Sequence, residues 1–217
     1  MIEPPALLDR VLASVEPDDP GTRAILDCAL TAFTASGVRR STMGEIAERA
    51  GLGVATLYRR FPRKEQLVEA VVLREVRRFI EHVDARIQRV SGMPAQVVEG
   101  FVAFAVGVRE HPLLGTLLSS EPDTVLPACT VAGGPMLALA RTYLTEQIQR
   151  LQNTGELPMF DPEPAAEIIA RLTHSLMLTP DGRIPIGDDE RTRAFARDHI
   201  IPLLAGPPAS GGSETAR

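Results

Sequence analysis

The sequence predicts an all-α protein of about nine helices. Runs in which Val, Ile, Thr or Tyr alternate with polar residues, as half-buried strands require, do not occur in the 217 residues. Apolar residues recur instead at the three- and four-residue spacing of amphipathic helices, and clusters of Pro and Gly separate these stretches. With 44% hydrophobic and 24% charged residues, the chain can bury a sizeable core and does not have the composition of a disordered protein.

Composition shifts divide the chain into four parts. We predict that residues 1–20, which are rich in proline, form a mobile arm with one short helix at about 6–15. Residues 21–66 are predicted to form a small domain, residues 67–204 a larger helical domain, and residues 205–217 a disordered tail. The predicted helices lie at about 21–36, 43–50, 54–60, 63–90, 94–109, 112–119, 135–153, 163–179 and 189–204, and residues 121–135 form a loop with at most a turn or two of helix.

Several classes of protein are excluded by what the sequence lacks. There is no apolar run long enough to span a membrane and no signal-peptide pattern at the N-terminus, so we predict a soluble, cytoplasmic protein with no membrane partner. Cys28 and Cys129 are too far apart for a CxxC metal site and too few for a disulfide framework. We therefore expect no metal and no cofactor.

Charge is distributed unevenly along the chain. The formal net charge is −5, but residues 21–64 hold eight basic and three acidic side chains, a local charge of +5 that leaves −10 for the remainder. A basic block in an acidic chain is typical of a region that meets a polyanion. The alternative is a chance cluster of solvated arginines.

The segment from Thr42 to Tyr58 has the spacing of a helix-turn-helix. A small residue, Ala47, is followed after four positions by Gly51, which can adopt the positive φ of a tight turn, and after six more by the apolar Leu57. Thr42 and Glu45 have the spacing of a capping box at the start of the first helix. Any steep helix–helix corner could have this spacing, so the flanking residues are needed to distinguish a helix-turn-helix from other corners.

The flanks extend the pattern considerably. Between residues 22 and 67 the chain carries AxxxFxxxGxRxxTMxxIAxxAGxxxxTLYRRFxxKExL. Along this stretch it resembles the N-terminal domain of TetR-family repressors, and the later segment NTGELPMFDPEPAAEIIARL resembles the junction of two helices common in that family. The resemblance implies a helix-turn-helix DNA-binding domain at 21–66 and a ligand-binding and dimerisation domain at 67–204.

The resemblance also implies a set of DNA contacts. The helix at 54–60 would be the recognition helix in the major groove, with phosphate contacts around it. Gly44 stands where some members of the family carry a base-reading Arg. Because Val54 and Ala55 cannot hydrogen bond, we expect thymine-methyl contacts and DNA shape to contribute to readout. The candidate DNA-binding residues are Arg39, Arg40, Thr42, Met43, Gly53, Val54, Ala55, Thr56, Tyr58, Arg59, Arg60 and Lys64.

For some residues a structural role stays open. Tyr58 is as often a packing residue at such a corner as a phosphate donor. Arg23, Arg49 and Arg63 are more typical of solvated or salt-bridged surface positions.

The larger domain is predicted to hold a small molecule. By the resemblance its helices form a cage, and its apolar, Met-bearing residues suggest a hydrophobic ligand such as a lipid, an acyl thioester, a steroid or a drug. The alternative for each residue is ordinary core, and His174 can be a polar anchor or a satisfied core histidine. The candidate ligand-binding residues are Phe79, Val83, Phe101, Phe104, Leu114, Met136, Tyr143, His174 and Met177.

By the same resemblance, the last two long helices form a homodimer as a four-helix bundle across a two-fold axis. Their apolar faces could pair between two copies or lie in the chain's own core. These faces comprise Ala165, Ala166, Ile169, Leu172, Thr173 and Leu176 on the first helix and Phe195, His199, Ile200, Leu203 and Leu204 on the second.

No enzyme motif accompanies these features. The four histidines have no HxxxH or HExxH spacing, and no GxSxG, GxGxxG or P-loop run occurs. We therefore predict a transcriptional repressor that binds a pseudo-palindromic operator as a homodimer and is released by a small hydrophobic ligand. The alternative is a helix-turn-helix adaptor or activator without a small-molecule inducer.

Overall fold

The computed structural model describes residues 19–205, with the side chain of Thr124 excepted, and this part of the chain is helical without a strand. The all-α prediction is confirmed. The predicted N-terminal arm and C-terminal tail lie almost entirely outside the described residues. The helices are α1 (Pro20–Arg40), α2 (Met43–Arg49), α3 (Val54–Arg60), α4 (Lys64–Ile87), α5 (Met93–Glu110), α6 (Pro112–Ser120), α7 (Pro122–Cys129), α8 (Gly134–Asn153), α9 (Pro162–Leu178) and α10 (Asp189–Phe195).

Two hydrophobic cores organise these helices. The first joins α1, α2, α3 and the start of α4, with Ile25, Phe33 and Leu57 at its centre, and Leu113 from α6 is buried in it. The second joins α5, α8, α9 and the last helix around Val102 and Ala166. We call residues 20–71 the head and residues 72–204 the body. Since α4 runs without a break from one to the other, the predicted boundary at residue 66 lies in its first turn.

Local chemistry explains where α1 begins and ends. The Asp19 carboxylate accepts the N–H of Thr22 at 2.9 Å, and Pro20 supplies the first turn, where no N–H partner is needed. Helical geometry is interrupted at Gly37, with φ +80° and ψ 165°, directly after the predicted end of the helix at about residue 36. One further turn then leads to Arg40.

Residues 121–135 contain the two-turn helix α7, the most helix predicted for this segment, so ten α-helices occur in the described range where about nine were predicted. The structure corrects two details of the body. The helix α4 ends at Ile87 rather than near residue 90. The last helix does not stay α-helical: it continues as a π-turn at Ala196–Ile200 and a 3₁₀ turn at Ile201–Leu204. Pro202 supplies no N–H to the ladder, and the register changes ahead of it.

The apolar faces assigned to dimerisation point into the chain's own core. On α9, Ala165, Ala166, Ile169, Thr173 and Leu176 are buried, and Ile200 and Leu204 on the last helix are buried with them. This packing of α9 against α8 and α5 supports the alternative of ordinary core for the buried residues, and pairing of two copies through these helices stays a prediction. Ile168 is 51% exposed on the outward side of α9, and His199 is exposed on the last helix.

No single helix in residues 19–205 has the length and apolar composition of a membrane span, although the bent pair α5–α6 reaches that threshold by length and composition alone. Among the same residues, no group of three or more His, Cys, Asp or Glu side chains is placed to hold a metal ion.

Candidate nucleic-acid interface

A tight turn joins α2 to α3. Gly51 has φ +66°, the left-handed region that favours glycine. Its N–H donates to the carbonyl of Glu48 at 3.0 Å, and the next N–H, of Leu52, donates to the carbonyl of Ala47 at 2.9 Å. These two bonds are the Schellman pattern, so α2 ends with its last carbonyls paired and α3 leaves at a fixed angle.

The predicted capping box holds the start of α2. The Thr42 hydroxyl accepts the N–H of Glu45 at 3.2 Å, and the Glu45 carboxylate accepts the N–H of Thr42 at 3.1 Å. Thr42 is exposed, whereas the Met43 side chain is buried in the head core. Of the predicted contacts at this end, Met43 can therefore offer a phosphate only its backbone N–H, not its side chain.

One face of α3 is buried and the other is open to solvent. Leu57 is fully buried and packs α3 onto the head core, as predicted, with the also fully buried Ala47 as the small residue on α2. The opposite face exposes Val54 (45%) and Tyr58 (47%), one helical turn apart. Gly53, Ala55 and Arg59 are exposed beside them, and Thr56 is half-buried. Tyr58 does not fill the corner of the helices, so its packing alternative is not supported.

Two of the predicted phosphate contacts already have partners inside the protein. Arg60 lies 2.8 Å from the Asp19 carboxylate at the start of α1. Hydrogen bonds from Thr22 lower the pKa of Asp19, which keeps that carboxylate ionised opposite Arg60. The Lys64 ammonium donates to the main-chain carbonyls of Arg39 and Ser41, where it stabilises the end of α1.

Arg39 and Arg40 are both exposed at the end of α1. The Arg40 Nε donates to the carbonyl of Ser36 at 2.8 Å. The Arg39 backbone N–H donates to the buried carboxylate of Glu121, a residue of the body. Sequence reasoning missed Glu121, because 82 positions separate the two residues and no spacing connects them.

Four of the predicted ligand-binding residues do come together, between α4, α5 and α8. The Phe79 and Phe104 rings meet edge to face at 5.8 Å, and Val83 and Tyr143 pack in the same region. The Tyr143 hydroxyl donates to Asp84 at 2.6 Å, and Gln147 approaches the same oxygen at 3.5 Å. Burial raises the pKa of Tyr143 far above its usual range, and the bond to Asp84 adds to the shift.

The other predicted ligand-binding residues are not part of this cluster. Phe101 packs in the second core against Phe195, with ring centroids 5.8 Å apart, so the structure does not bring it together with the other four. His174 lies 2.7 Å from the backbone carbonyl of Cys129, which supports the satisfied-histidine alternative. Leu114, Met136 and Met177 are half-buried. None of the nine lines either of two open cavities in the described part of the chain, of about 220 and 490 Å³.

The polar partners in this region carry no clear signal in the sequence. Asp84 and Gln147 each lie one turn from an apolar residue of a helix stripe. Because a pattern of apolar residues marks only the apolar positions, it does not identify these two polar ones. Glu99 is a further example: it bridges Arg86 of α4 at 2.8 Å and Arg193 of α10 at 3.0 Å. Burial alone would raise the pKa of Glu99, but the hydrogen bonds from both arginines outweigh it and lower that pKa.

Comparisons with known proteins agree with this architecture. Residues 25–71 match the profile of the family described as bacterial regulatory proteins, tetR family. An uncharacterized HTH-type transcriptional regulator of Mycobacterium tuberculosis is 28% identical over 192 residues, which cover 88% of each protein. The A-factor receptor protein of Streptomyces griseus is 28% identical over 190 residues, covering 85% of this chain and 64% of that protein.

Solved structures extend the likeness to the body. The crystal structure of the TetR family repressor AlkX from Dietzia sp. superposes with a TM-score of 0.62 at 24% identity, over 83% of this chain and 96% of that one. The likeness shows the same fold for head and body together. Proteins of this family regulate transcription and are not enzymes. The head thus matches the TetR family of regulators over residues 25–71, and head and body together have the fold of TetR-family regulators.

Proposed function

We propose that the protein is a repressor that binds a specific DNA sequence and is released from it by a small hydrophobic ligand. The observation that carries the proposal is the exposed face of α3. A seven-residue helix anchored by the fully buried Leu57 leaves Val54 and Tyr58 nearly half exposed on its other side. Exposure of two large side chains to water does not stabilise such a short helix. In a major groove, the same side chains can contact thymine methyl groups.

In this proposal the DNA contacts divide into two groups. Gly53, Val54, Ala55 and Thr56 lie at the start of α3 and meet base edges, with the methyl groups of Val54 and Ala55 against thymine. Phosphate contacts come from Tyr58 and from the exposed arginines at 39, 40 and 59, with the backbone N–H groups at 42–43. Arg60 and Lys64 hold the head together, so we assign them at most a share in the general positive potential.

A dimer would place two copies of α3 in successive major grooves. The half-sites of its operator would lie about 34 Å apart and be related by two-fold symmetry. Because the inward faces of α9 and the last helix are occupied, we place the contact between copies on their outward faces, where Ile168 and His199 are exposed. A cytoplasmic location follows from the proposed role.

A hydrophobic ligand is supported by the region between α4, α5 and α8. Phe79, Phe104 and Val83 supply apolar surface, and the Tyr143–Asp84 pair supplies one fixed polar group. Among the similar proteins, AlkX is a repressor implicated in biodegradation of n-alkanes, which is consistent with an apolar ligand. Because α4 begins in the head and passes through this region, a ligand bound there would shift the two heads.

Selection of DNA from a random-sequence duplex library tests DNA binding without requiring that the operator be identified first. We expect the full-length protein to enrich a motif with two-fold symmetry, bound with an affinity that falls steeply as salt rises. An adaptor that acts only through protein contacts would enrich no motif, and that result would contradict the proposal. An activator would enrich a motif too, and transcription from a template carrying it separates activation from repression.

Variants then test the residues. Arg59→Ala should weaken binding of the selected duplex and lower the magnitude of the salt slope by about 1, the share of one phosphate. Arg89→Ala removes the same charge from an exposed position of the body, just after the end of α4, and is the matched control, for which we expect no change. For the release mechanism, a straight-chain fatty acid is a suitable first probe. If a bound ligand has equal affinity for the free protein and for the DNA complex, release by that ligand is excluded.

A further inference from the structure

The end of α1, from its break at Gly37 onward, lies where head and body meet. We call residues 37–41 the elbow segment; it begins at the break in α1 and leads directly into Thr42, the cap of α2. It carries Arg39 and Arg40. The orientation of this segment therefore decides where both arginines and the start of α2 lie relative to DNA.

Glu121, from the junction of α6 and α7, reaches into this segment. Its Oε1 accepts the backbone N–H of Arg39 at 2.8 Å. Gly37 lies against the same carboxylate so closely that a Cβ added there would be 2.2 Å from Oε1. With φ +80°, position 37 already favours glycine. Backbone shape and the Glu121 carboxylate thus require the same residue at position 37.

The other side of the elbow segment is held by α4. The Lys64 ammonium donates to the carbonyls of Arg39 and Ser41, and the Ser41 hydroxyl donates back to the carbonyl of Gly37 at 2.7 Å. The N–H side of the segment is thus bonded to the α6–α7 junction, and its carbonyl side to the start of α4. If the α6–α7 junction moves relative to the start of α4, the elbow segment must therefore change its conformation.

Burial of the Glu121 carboxylate at this position is energetically unfavourable. It is only 5% exposed, and its second oxygen, Oε2, is buried without a hydrogen-bond partner in residues 19–205. A buried carboxylate with an unpaired oxygen is commonly less favourable than an apolar side chain of the same size. The contact between α1 and α6 has other sources of stability, namely the buried Leu113 and the bond from the Thr116 hydroxyl to the Thr34 carbonyl at 2.9 Å.

We propose that Glu121 is a positioning residue for DNA binding, which holds the elbow segment, and with it Arg39, Arg40 and the start of α2, in the conformation that meets the phosphates. The proposal rests on the DNA-binding function proposed above. In this proposal two parts of the protein link the orientation of the head to the body: the continuous helix α4 and the Glu121 carboxylate at the α6–α7 junction.

The test compares three variants of the full-length protein on the duplex selected by the wild type. Glu121→Met removes the acceptor and nearly keeps the volume. Glu121→Gln keeps an acceptor oxygen for the Arg39 N–H, and Asp123→Ala, an exposed carboxylate two residues on, is the control for charge. Affinity, the slope of log affinity against log salt, and the melting temperature are measured for each.

We expect Glu121→Met to melt at or above the wild-type temperature but to bind about tenfold more weakly, with a salt slope smaller by about 1 to 2 phosphates. Glu121→Gln should restore most of the affinity, and Asp123→Ala should match the wild type. A simple loss of folded protein would lower the apparent affinity without changing the slope.

Three results would overturn the inference. One is a Glu121→Met variant that binds with wild-type affinity and slope; a second is one that no longer folds, since Glu121 would then be a stabilising residue. The third is a Glu121→Gln variant that binds as weakly as Glu121→Met. If the wild type itself selects no duplex, the DNA-binding proposal fails first, which separates that failure from the failure of this inference.

Discussion

The head and the body are built from the same kind of amphipathic helix but organise their functional residues in different ways. In the head, the proposed contacts lie between residues 39 and 64, and tight turns fix their relative positions. In the body, the polar pairs join residues far apart in the chain, as in Tyr143–Asp84 and Glu99–Arg193. A function placed on neighbouring turns can be recognised from spacing, whereas one assembled between distant helices cannot.

The largest effect should come from breaking the core of the head. Leu57→Ala removes a fully buried side chain and should lower the free energy of unfolding by about 2–5 kcal/mol, with loss of DNA binding. Leu126→Ala is the same substitution in the body at a side chain that is 40% exposed, and it should cost less than about 0.5 kcal/mol. Urea denaturation followed by circular dichroism measures both; equal losses would mean that the head core does not depend on α3.

A second substitution sharpens the boundary between head and body. Gly37→Ala should cost about 1–3 kcal/mol for the strained backbone, plus the clash with the Glu121 carboxylate. In a Glu121→Ala background the clash is absent, so the same substitution should cost less. A double-mutant cycle in urea measures the difference. If Gly37→Ala lowers the free energy of unfolding equally in both backgrounds, the Glu121 side chain can move away from a Cβ at position 37 without loss of stability.

The double variant Arg39→Ala/Arg40→Ala tests whether the end of α1 belongs to the DNA interface. Both side chains are exposed in the basic head, so their loss should weaken binding by about tenfold or more and lower the magnitude of the salt slope by about 2. Binding is measured by fluorescence anisotropy between 50 and 300 mM salt, about the range in which such slopes are resolved. An unchanged affinity and slope would exclude both residues from the interface. It would also exclude the expectation that the end of α1 contributes to recognition of DNA shape.

The smallest predicted effect belongs to the body. Tyr143→Phe removes the hydrogen bond to Asp84 and should lower the free energy of unfolding by about 0.5–1.5 kcal/mol at neutral pH. The pKa of Tyr143 is raised in the folded protein, so its contribution is present below the unfolded value of about 10 and is lost as the pH rises above it. The difference between wild type and variant should therefore shrink above about pH 10.

Urea titrations at neutral and alkaline pH measure that difference. Tyr58→Phe, at an exposed position on α3, is the matched control and should change stability by less than about 0.5 kcal/mol at either pH. A difference between wild type and Tyr143→Phe that stays constant through the alkaline range would contradict the assigned hydrogen bond.

What could be predicted from the sequence follows the same division. Gly51 and the Thr42–Glu45 box were identified correctly because a positive φ or a cap depends on residues within a few positions. Leu57 and Ala47 followed from the geometry of a helix pair joined by a short turn. The helix boundaries followed from periodicity, except where Pro202 and the proline-rich α7 altered the hydrogen-bond ladder.

The packing partners of the body could not be predicted in this way. Phe101 and Phe104 are one turn apart on α5, yet Phe101 packs against Phe195 and Phe104 against Phe79. Periodicity identifies an apolar residue but not which neighbouring helix it meets. For the same reason periodicity could not decide whether the apolar face of α9 pairs between copies or lies in the chain's own core, where its buried residues are found. The Glu121–Arg39 bond left no sequence signal at all.

Hydrogen–deuterium exchange of the full-length protein, with and without the selected duplex, tests the central claim most directly. If the exposed face of α3 and the end of α1 meet DNA, the duplex should slow amide exchange in residues 39–64 and leave the surface of α8 and α9 unchanged. Addition of the same duplex at a salt concentration that prevents binding is the control. Protection confined to the body, or none in the head at saturating duplex, would contradict the account.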